Sequence, residues 1–341
     1  MKLIVTIPAY NEEATIAQVI EEIPRAIVGL DQVEVLVLDD GSTDGTVQAA
    51  LAAGADYVIS NGRNQGLAAT FKRALQEALV RGADIIVNTD GDNHYDQSRI
   101  PDLIQPLLRH QADLVIGNRN IDELPMAIGN KYGNKLANLL MQRLLGLPKA
   151  DVSSGFRAYT REAALRLNVL SSHTYTHETL FNALDQQLAV VSLPLRAREV
   201  TRPSRLIRSL PRHVWNASLV ILRSFTLYRP LQVYATIGVV FAFLGLIPFV
   251  RFLWFYLQGD GGGHVQSLVM GGALWFLGIQ CLVVALLASA IRWNRRLIEE
   301  MLVRLKRQQM EQWAVGTQPS VAPSGNGDGE PEEAQEELRA A

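Results

Sequence analysis

Short apolar runs alternate with longer amphipathic stretches over the first two hundred residues. Leu3–Ile7, Val33–Leu38, Tyr57–Ser60, Ile85–Val87, Asp113–Gly117 and Leu188–Leu193 have strand length. Several are unbroken and β-branched, which suits strands buried on both faces. Between them, helical periodicity runs over about 14–27, 46–53, 67–81 and 96–109, and another helix begins at Thr176. This alternation predicts an α/β domain with a mostly parallel central sheet. Ligands of such sheets bind beyond the carboxyl ends of the strands. Three polar clusters, near Tyr10, Asp40 and Asp90, fall at those ends.

The pattern changes near residue 205. Leu206–Tyr228 mixes apolar positions with Arg208, Arg212, Arg223 and Arg229. That predicts an amphipathic, interfacial helix, interrupted at Pro211. Leu231–Val250 and Ser267–Ile291 are nearly uncharged and long enough to span a bilayer. The polar loop Gly259–His264 joins them into a hairpin. Glu299–Trp313 continues as a charged helix, to lie on the membrane or pair with a partner. Residues from Thr317 onward are rich in Pro, Gly, Ser and Glu and predict disorder. The expected units are an α/β domain over 1–205, juxtamembrane helices over 206–229 and two transmembrane helices over 230–292. A charged helix over 293–316 and a tail over 317–341 follow.

Charge sharpens this picture. The 341 residues carry a net charge of −2, which gives no nucleic-acid signature. Basic residues gather over 196–229 and 292–307 and flank the outer ends of the hairpin, whose loop has none. The positive-inside rule then puts both chain ends in the cytoplasm. Membrane lipids are expected partners, and Gly271, Gly272 and Gly278 would permit self-association through the hairpin. The single cysteine, Cys281, excludes a disulfide framework. The first residues run too soon into polar ones to be a signal peptide. No Gly-x-Gly-x-x-Gly follows the first strand and no phosphate-loop Gly-Lys-Ser/Thr appears, which argues against a dehydrogenase or a phosphate-loop ATPase.

The run Ile85-Ile86-Val87-Asn88-Thr89-Asp90-Gly91-Asp92-Asn93-His94-Tyr95 carries the chemistry. Side chains two apart on an extended chain point the same way, so Asp90 and Asp92 can converge. Gly91 leaves room for a ligand against the backbone. Two hard oxygen donors suit Mg2+ or Mn2+ bridging to a diphosphate. A strand end followed by a polar turn has the same composition.

Four motifs occur in a telling order: Pro8-Ala9-Tyr10-Asn11-Glu12, Asp39-Asp40-Gly41-Ser42-Thr43-Asp44-Gly45-Thr46, Asp90-Gly91-Asp92 and Ser154-Gly155-Phe156-Arg157. The order resembles family 2 glycosyltransferases with the GT-A fold. The nearest likeness is to the dolichol-phosphate mannose synthase branch, the polyprenyl-phosphate glycosyltransferases, and it covers about residues 1–210. The resemblance implies that Pro8, Tyr10, Glu12, Leu38 and Asp40 line a base and ribose pocket. Asp90, Gly91 and Asp92 would hold the nucleotide-sugar donor and its metal, with Arg119 nearby. His94 stands where the branch usually has Gln, and its imidazole can join Asp90 and Asp92 as a metal ligand.

Asp151 and Arg157 match the acceptor-side motif. Asp151 is expected to orient the site and Arg157 to pair with the acceptor phosphate. The basic run Arg196–Leu206 resembles the loop that closes on the donor diphosphate, and it would also be attracted to anionic lipid. Arg205 stands where the family has Lys, and either Arg198 or Arg202 fills the earlier position. Lys131 and Lys135 lie on a basic amphipathic helix that is either solvated or holds a lipid phosphate. Glu178 is either a charge at a helix start or an acid of the acceptor face.

The expected activity is metal-dependent, inverting transfer of one hexose from a nucleotide-diphosphate sugar to a polyprenyl or dolichyl phosphate at the cytoplasmic membrane face. The alternatives are a processive polysaccharide synthase, against which no Gln-x-x-Arg-Trp occurs, a non-catalytic membrane adaptor, and a lipid-phosphate binding or flipping protein.

Overall fold

The computed structural model describes residues 1–119, 151–169, 175–195, 198, 226, 229–259 and 262–316. The expected basic helix with Lys131 and Lys135, Arg202, Arg205, most of the amphipathic stretch 206–228 and the tail lie outside them.

The alternating pattern folds as β1 (Lys2–Ala9), α1 (Ile16–Glu21), β2 (Gln32–Asp39), α2 (Thr46–Ala52), β3 (Tyr57–Ser60), α3 (Leu67–Val80), β4 (Ile85–Asn88), α4 (Ile100–Leu108) and β5 (Leu114–Arg119). Then come β6 (Arg157–Thr160), α5 (Arg161–Arg166), α6 (Thr176–Asp185) and β7 (Val190–Leu195). The seven strands form one sheet in the order β3-β2-β1-β4-β6-β5-β7. All neighbours are parallel except β6, which runs antiparallel to both β4 and β5. β6, a four-residue strand that begins with an arginine, has no counterpart among the predicted strands. α1 is shorter than the predicted 14–27: Pro24 disfavours helix at the residue before it, and the helix stops at Glu21. β7 carries Pro194, which an edge strand tolerates.

Helices cover both faces. Ile4, Leu36, Leu38 and Ile86 pack with Phe71, Ala74 and Leu75 of α3. Leu3, Val5, Ile7 and Val87 pack with Ile16 and Val19 of α1 and with Leu103 and Ile104 of α4. Each fully buried aliphatic chain contributes about 1.5–3 kcal/mol. The register Ala9↔Asp39, Thr6↔Asn88 and Asn88↔Arg157 brings the ends of β1, β2 and β4 and the start of β6 to one edge.

Two long helices follow, α7 (Pro230–Leu257) and α8 (Val265–Gly316). Both are long and apolar enough to cross a membrane, and only 17% and 11% of their most apolar windows is buried by protein. That exposure fits membrane association. They pack tightly through glycines. A Cβ on Gly238 would lie 2.9 Å from the Gly278 carbonyl oxygen, and one on Gly245 3.0 Å from that of Gly271. Gly271 and Gly278, read from sequence as a surface for self-association, thus face the neighbouring helix of the same chain, while Gly272 meets nothing within 4 Å. The expected charged helix is the continuation of α8, and its partner is the α/β domain itself. Arg307 pairs with Glu162 of α5 at 2.8 Å, and Met310 packs against the core.

Candidate active site

The first wall of the site is made by the loops after β1 and β2. Asn11 adopts φ +54°, which lets it face the second loop. Its N–H donates to Ser42 Oγ at 2.9 Å, and its Oδ1 accepts from the Thr43 N–H at 2.8 Å. The Glu12 N–H donates to Thr46 Oγ1 at 2.9 Å. Gly41 has φ +75°, and a Cβ there would lie 2.6 Å from the Arg63 backbone, so the turn requires glycine. Asp40 is buried, and it accepts from the N–H groups of Gln65 and Gly66, each at 2.9 Å, and from Asn61 Nδ2 at 3.0 Å. Its carboxylate therefore ties down the third loop. Leu38 and Pro8 are buried too, and Leu38 belongs to the core. Of the five residues expected around a base and ribose, Tyr10 and Glu12 are the two that keep substantial exposure.

The second wall is the loop after β4. Thr15 Oγ1 donates to the Gly91 carbonyl at 2.7 Å and so links this loop to the first. Thr89 Oγ1 donates to buried Gln97 at 3.0 Å, and Gln97 donates in turn to the Tyr95 carbonyl at 3.2 Å. Asp92 is exposed and accepts the His94 N–H at 3.1 Å. Asp90 lies deeper. Burial, with repulsion from Asp92, pushes its carboxyl up to about 7, against the pull of Arg119 and Arg157. A Cβ on Gly155 would lie 2.6 Å from Asp90 Oδ2 and 2.9 Å from Tyr175 Oη, so this glycine is what leaves room for that carboxylate.

Among the described residues no three His, Cys, Asp or Glu side chains gather as a metal cluster. The expected triple set of Asp90, Asp92 and His94 is therefore not assembled. The His94 ring instead faces a cation, with Nε2 3.5 Å from Arg119 Nη1. Burial and Arg119 hold its pKa below the usual imidazole range, against Asp92 and Asp151. The two carboxylates alone still fit a hard divalent cation. Mg2+ commonly takes one or two protein carboxylates and completes its shell from phosphates and water.

The third wall is built from arginines. Arg119, at the end of β5, donates from Nε to Asp151 Oδ2 at 2.6 Å and from Nη2 to Ser153 Oγ at 2.7 Å. Burial alone would raise the Asp151 pKa. The charge and hydrogen bonds of Arg119, with those of Ser153, outweigh it and hold the carboxyl below the usual range. Arg157 is fully buried. It donates to the carbonyls of Ser154 (2.9 Å), Val152 (2.8 Å) and Thr176 (2.8 Å) and to Thr179 Oγ1 (2.7 Å). Expected to meet an acceptor phosphate, it is engaged instead in holding the loop 151–156 against α6. Arg198, one of two candidates for the diphosphate, pairs with Glu22 at 2.7 Å and donates to Asn93 Oδ1 at 2.6 Å.

Sequence reasoning did not single out the residues that brace these walls. Asn88 donates to the Gly155 carbonyl at 2.9 Å and to Tyr175 Oη at 3.0 Å. Tyr95 Oη accepts the Gly155 N–H at 2.8 Å. Tyr175 stacks on Phe71 with ring centroids 3.9 Å apart. The available signal for Asn88 was an amide closing a wholly apolar strand.

Residues 4–167 match the family described as "Glycosyl transferase family 2". The protein belongs to that family. The matched span holds the first two walls and Arg119, Asp151 and Arg157 of the third, and it ends before α6 and Arg198. The chain is 29% identical over 308 residues to the glycosyltransferase AglJ of Haloferax volcanii, covering 86% of this chain and 96% of that protein. It is 28% identical over 221 residues to the polyprenol monophosphomannose synthase of Mycolicibacterium smegmatis, covering 58% and 78%. Among solved structures it is similar to glucosyl-3-phosphoglycerate synthase from Mycobacterium tuberculosis in complex with Mn2+ and uridine-diphosphate-glucose. The TM-score there is 0.50 at 27% identity, covering 64% of this chain and 78% of that one. The fold is GT-A-like, and the protein is a glycosyltransferase of this family.

Proposed function

We propose that the enzyme transfers one hexose from a nucleotide-diphosphate sugar to a polyprenyl-type phosphate, with inversion, at the cytoplasmic face of a membrane. One observation carries this reading. The Asp90–Asp92 pair and the Arg119–Asp151 pair meet at one sheet edge, in a chain that also carries a hairpin of two apolar helices. The similarity to a polyprenol monophosphomannose synthase supports the acceptor class.

Tyr10 and Glu12 face the nucleoside. Asp90 and Asp92 would hold Mg2+ or Mn2+, which supplies charge neutralisation for the leaving diphosphate. Arg198 is engaged with Glu22 and Asp96, which favours Arg202, with Arg205, as the cations for that diphosphate. Arg119 adds fixed positive charge beside the pair. The acceptor needs no strong base. A phosphate monoester has a second pKa of about 6 and is largely ionised at neutral pH. One of its oxygens attacks the anomeric carbon from the face opposite the leaving diphosphate. The new C–O bond forms as the old one breaks, and the configuration inverts. Asp151, held ionised by Arg119, orients this wall, and Arg157 fixes the loop that presents it. The hairpin confines the lipid acceptor near the site and lowers the entropic cost of encounter.

The test is purified full-length protein in detergent with polyprenyl phosphate and Mn2+, given radiolabelled GDP-mannose, UDP-glucose or UDP-N-acetylglucosamine in turn. The expected result is label in the lipid phase with one donor, lost on chelation and restored by Mn2+. Folded protein that binds none of these nucleotides and labels no lipid would overturn the proposal.

A further inference from the structure

Helix α6 is gripped at both ends, by different parts of the molecule. At its start, the Thr176 carbonyl and Thr179 Oγ1 accept from the Arg157 guanidinium, which also holds the carbonyls of Val152 and Ser154. Tyr175, the residue before the helix, reaches Asn88 of β4. At its end, Asp185 is 9% exposed and accepts from Arg292 of α8, and Arg296 Nε lies 3.5 Å from its Oδ2. The ten residues between contain neither glycine nor proline, so α6 is a stiff bar about 15 Å long.

Helix α8 grips the same half of the domain a second time. Lys306 Nζ donates to the Leu165 carbonyl at the end of α5 (3.3 Å) and to Asn168 Oδ1 (3.0 Å), and Arg307 pairs with Glu162. α5 follows β6 directly, and β6 starts at Arg157. The helix that spans the apolar layer is therefore fastened to both elements that carry the loop 151–156.

We infer that Asp185, Arg292 and Arg296 are positioning residues. Through α6 they set the acceptor-side loop at a fixed height relative to the transmembrane helix, so that a bilayer-held acceptor meets it in register. This rests on the reading of a lipid phosphate as acceptor. A staple that only stabilised the domain would serve any acceptor equally, whereas a height-setting bar matters for an acceptor anchored in the bilayer.

The experiment uses full-length protein in nanodiscs and two acceptors, a long-chain polyprenyl phosphate in the bilayer and a short water-soluble prenyl phosphate. Asp185→Asn and the milder Arg296→Gln are compared with wild type, and Asp185→Glu serves as the conservative variant. For the bilayer acceptor, kcat/KM is expected to fall about tenfold, with Asp185→Glu recovering most of it. For the soluble acceptor, kcat/KM and donor affinity are expected to stay at the wild-type value. Equal loss with both acceptors, or loss with neither, would overturn the inference while leaving the proposed function intact. Wild-type enzyme that glycosylates neither acceptor would overturn both.

Discussion

The two sides of the site are braced in different ways. The loops after β1 and β2 are joined over short distances within the domain, by Asn11 on Ser42 and Thr43 and by the Asp40 carboxylate on Gln65, Gly66 and Asn61, and they rest on the parallel half of the sheet. The wall around Asp151, the acceptor side of the proposed function, is held by guanidinium groups, Arg119 on Asp151 and Arg157 on the carbonyls around it, and beyond them by the arginines of α8. A ligand arriving from water needs a wall preorganised within the domain. On the proposed function, an acceptor held in a bilayer needs a wall tied to the apolar hairpin. Both sides use charged hydrogen bonds, and the guanidinium side differs in joining elements far apart in the sequence.

This contrast can be broken in order of severity. Asp92→Asn and Asp90→Asn should each lower kcat by about 10²–10³-fold, since the proposed function puts both where charge grows on the leaving group. Initial rates at saturating donor measure this, and a full rate in either variant would remove the pair from the chemistry. Gly155→Ala should cost about 10²-fold by pressing on Asp90, with unfolding temperature nearly unchanged. Gly91→Ala is its control. A Cβ there meets nothing closer than 3.5 Å, so the fold should be intact and any loss should read out donor binding.

Arg157→Met should destabilise the domain by about 3–5 kcal/mol, because it orphans buried carbonyls. Asn11→Ala on the donor side should cost about 1 kcal/mol. Denaturant midpoints would compare them, and equal losses would erase the distinction drawn above. The smallest effect concerns pH. Asp151 has its folded pKa depressed below an unfolded value of about 3.9. Its stabilisation is therefore complete above that value and is lost as pH falls through the folded one. The stability gap between wild type and Asp151→Asn should be constant near neutrality and narrow on acidification below about pH 4. A gap unchanged at low pH would mean that Arg119 does not favour the ionised form.

The alternation of β1 to β5 with their helices was legible because each strand is an apolar run closed by turn chemistry. The placing of Asp90 and Asp92 at a strand end followed from that. The two apolar helices were legible from length alone. Other features were hidden for physical reasons. A buried arginine and a ligand-binding arginine look alike in a string of letters, so Arg157 pointed toward a phosphate when its donors go to carbonyls. Asp40 sits in turn-rich sequence, and only the fold shows that Gln65 and Gly66 claim it. The charged half of α8 has the composition of a solvated helix, and its docking on Asp185 and Glu162 needs partners over a hundred residues away. Glycines in a span suggest close packing without saying against what, and here the answer was the other arm of the hairpin.

The bond between Arg119 and Asp151 also has a consequence for how the enzyme can vary. The chain leaves β5 at Arg119 and returns at Asp151, and the two side chains meet at the active edge, with Arg119 Nε 2.6 Å from Asp151 Oδ2. The ion pair ties the two ends of this long connection to each other at the sheet edge. Doubling such an excursion adds only about 0.6 kcal/mol of closure entropy. A change of chain length between residues 119 and 151 would therefore weigh little on the fold through closure entropy.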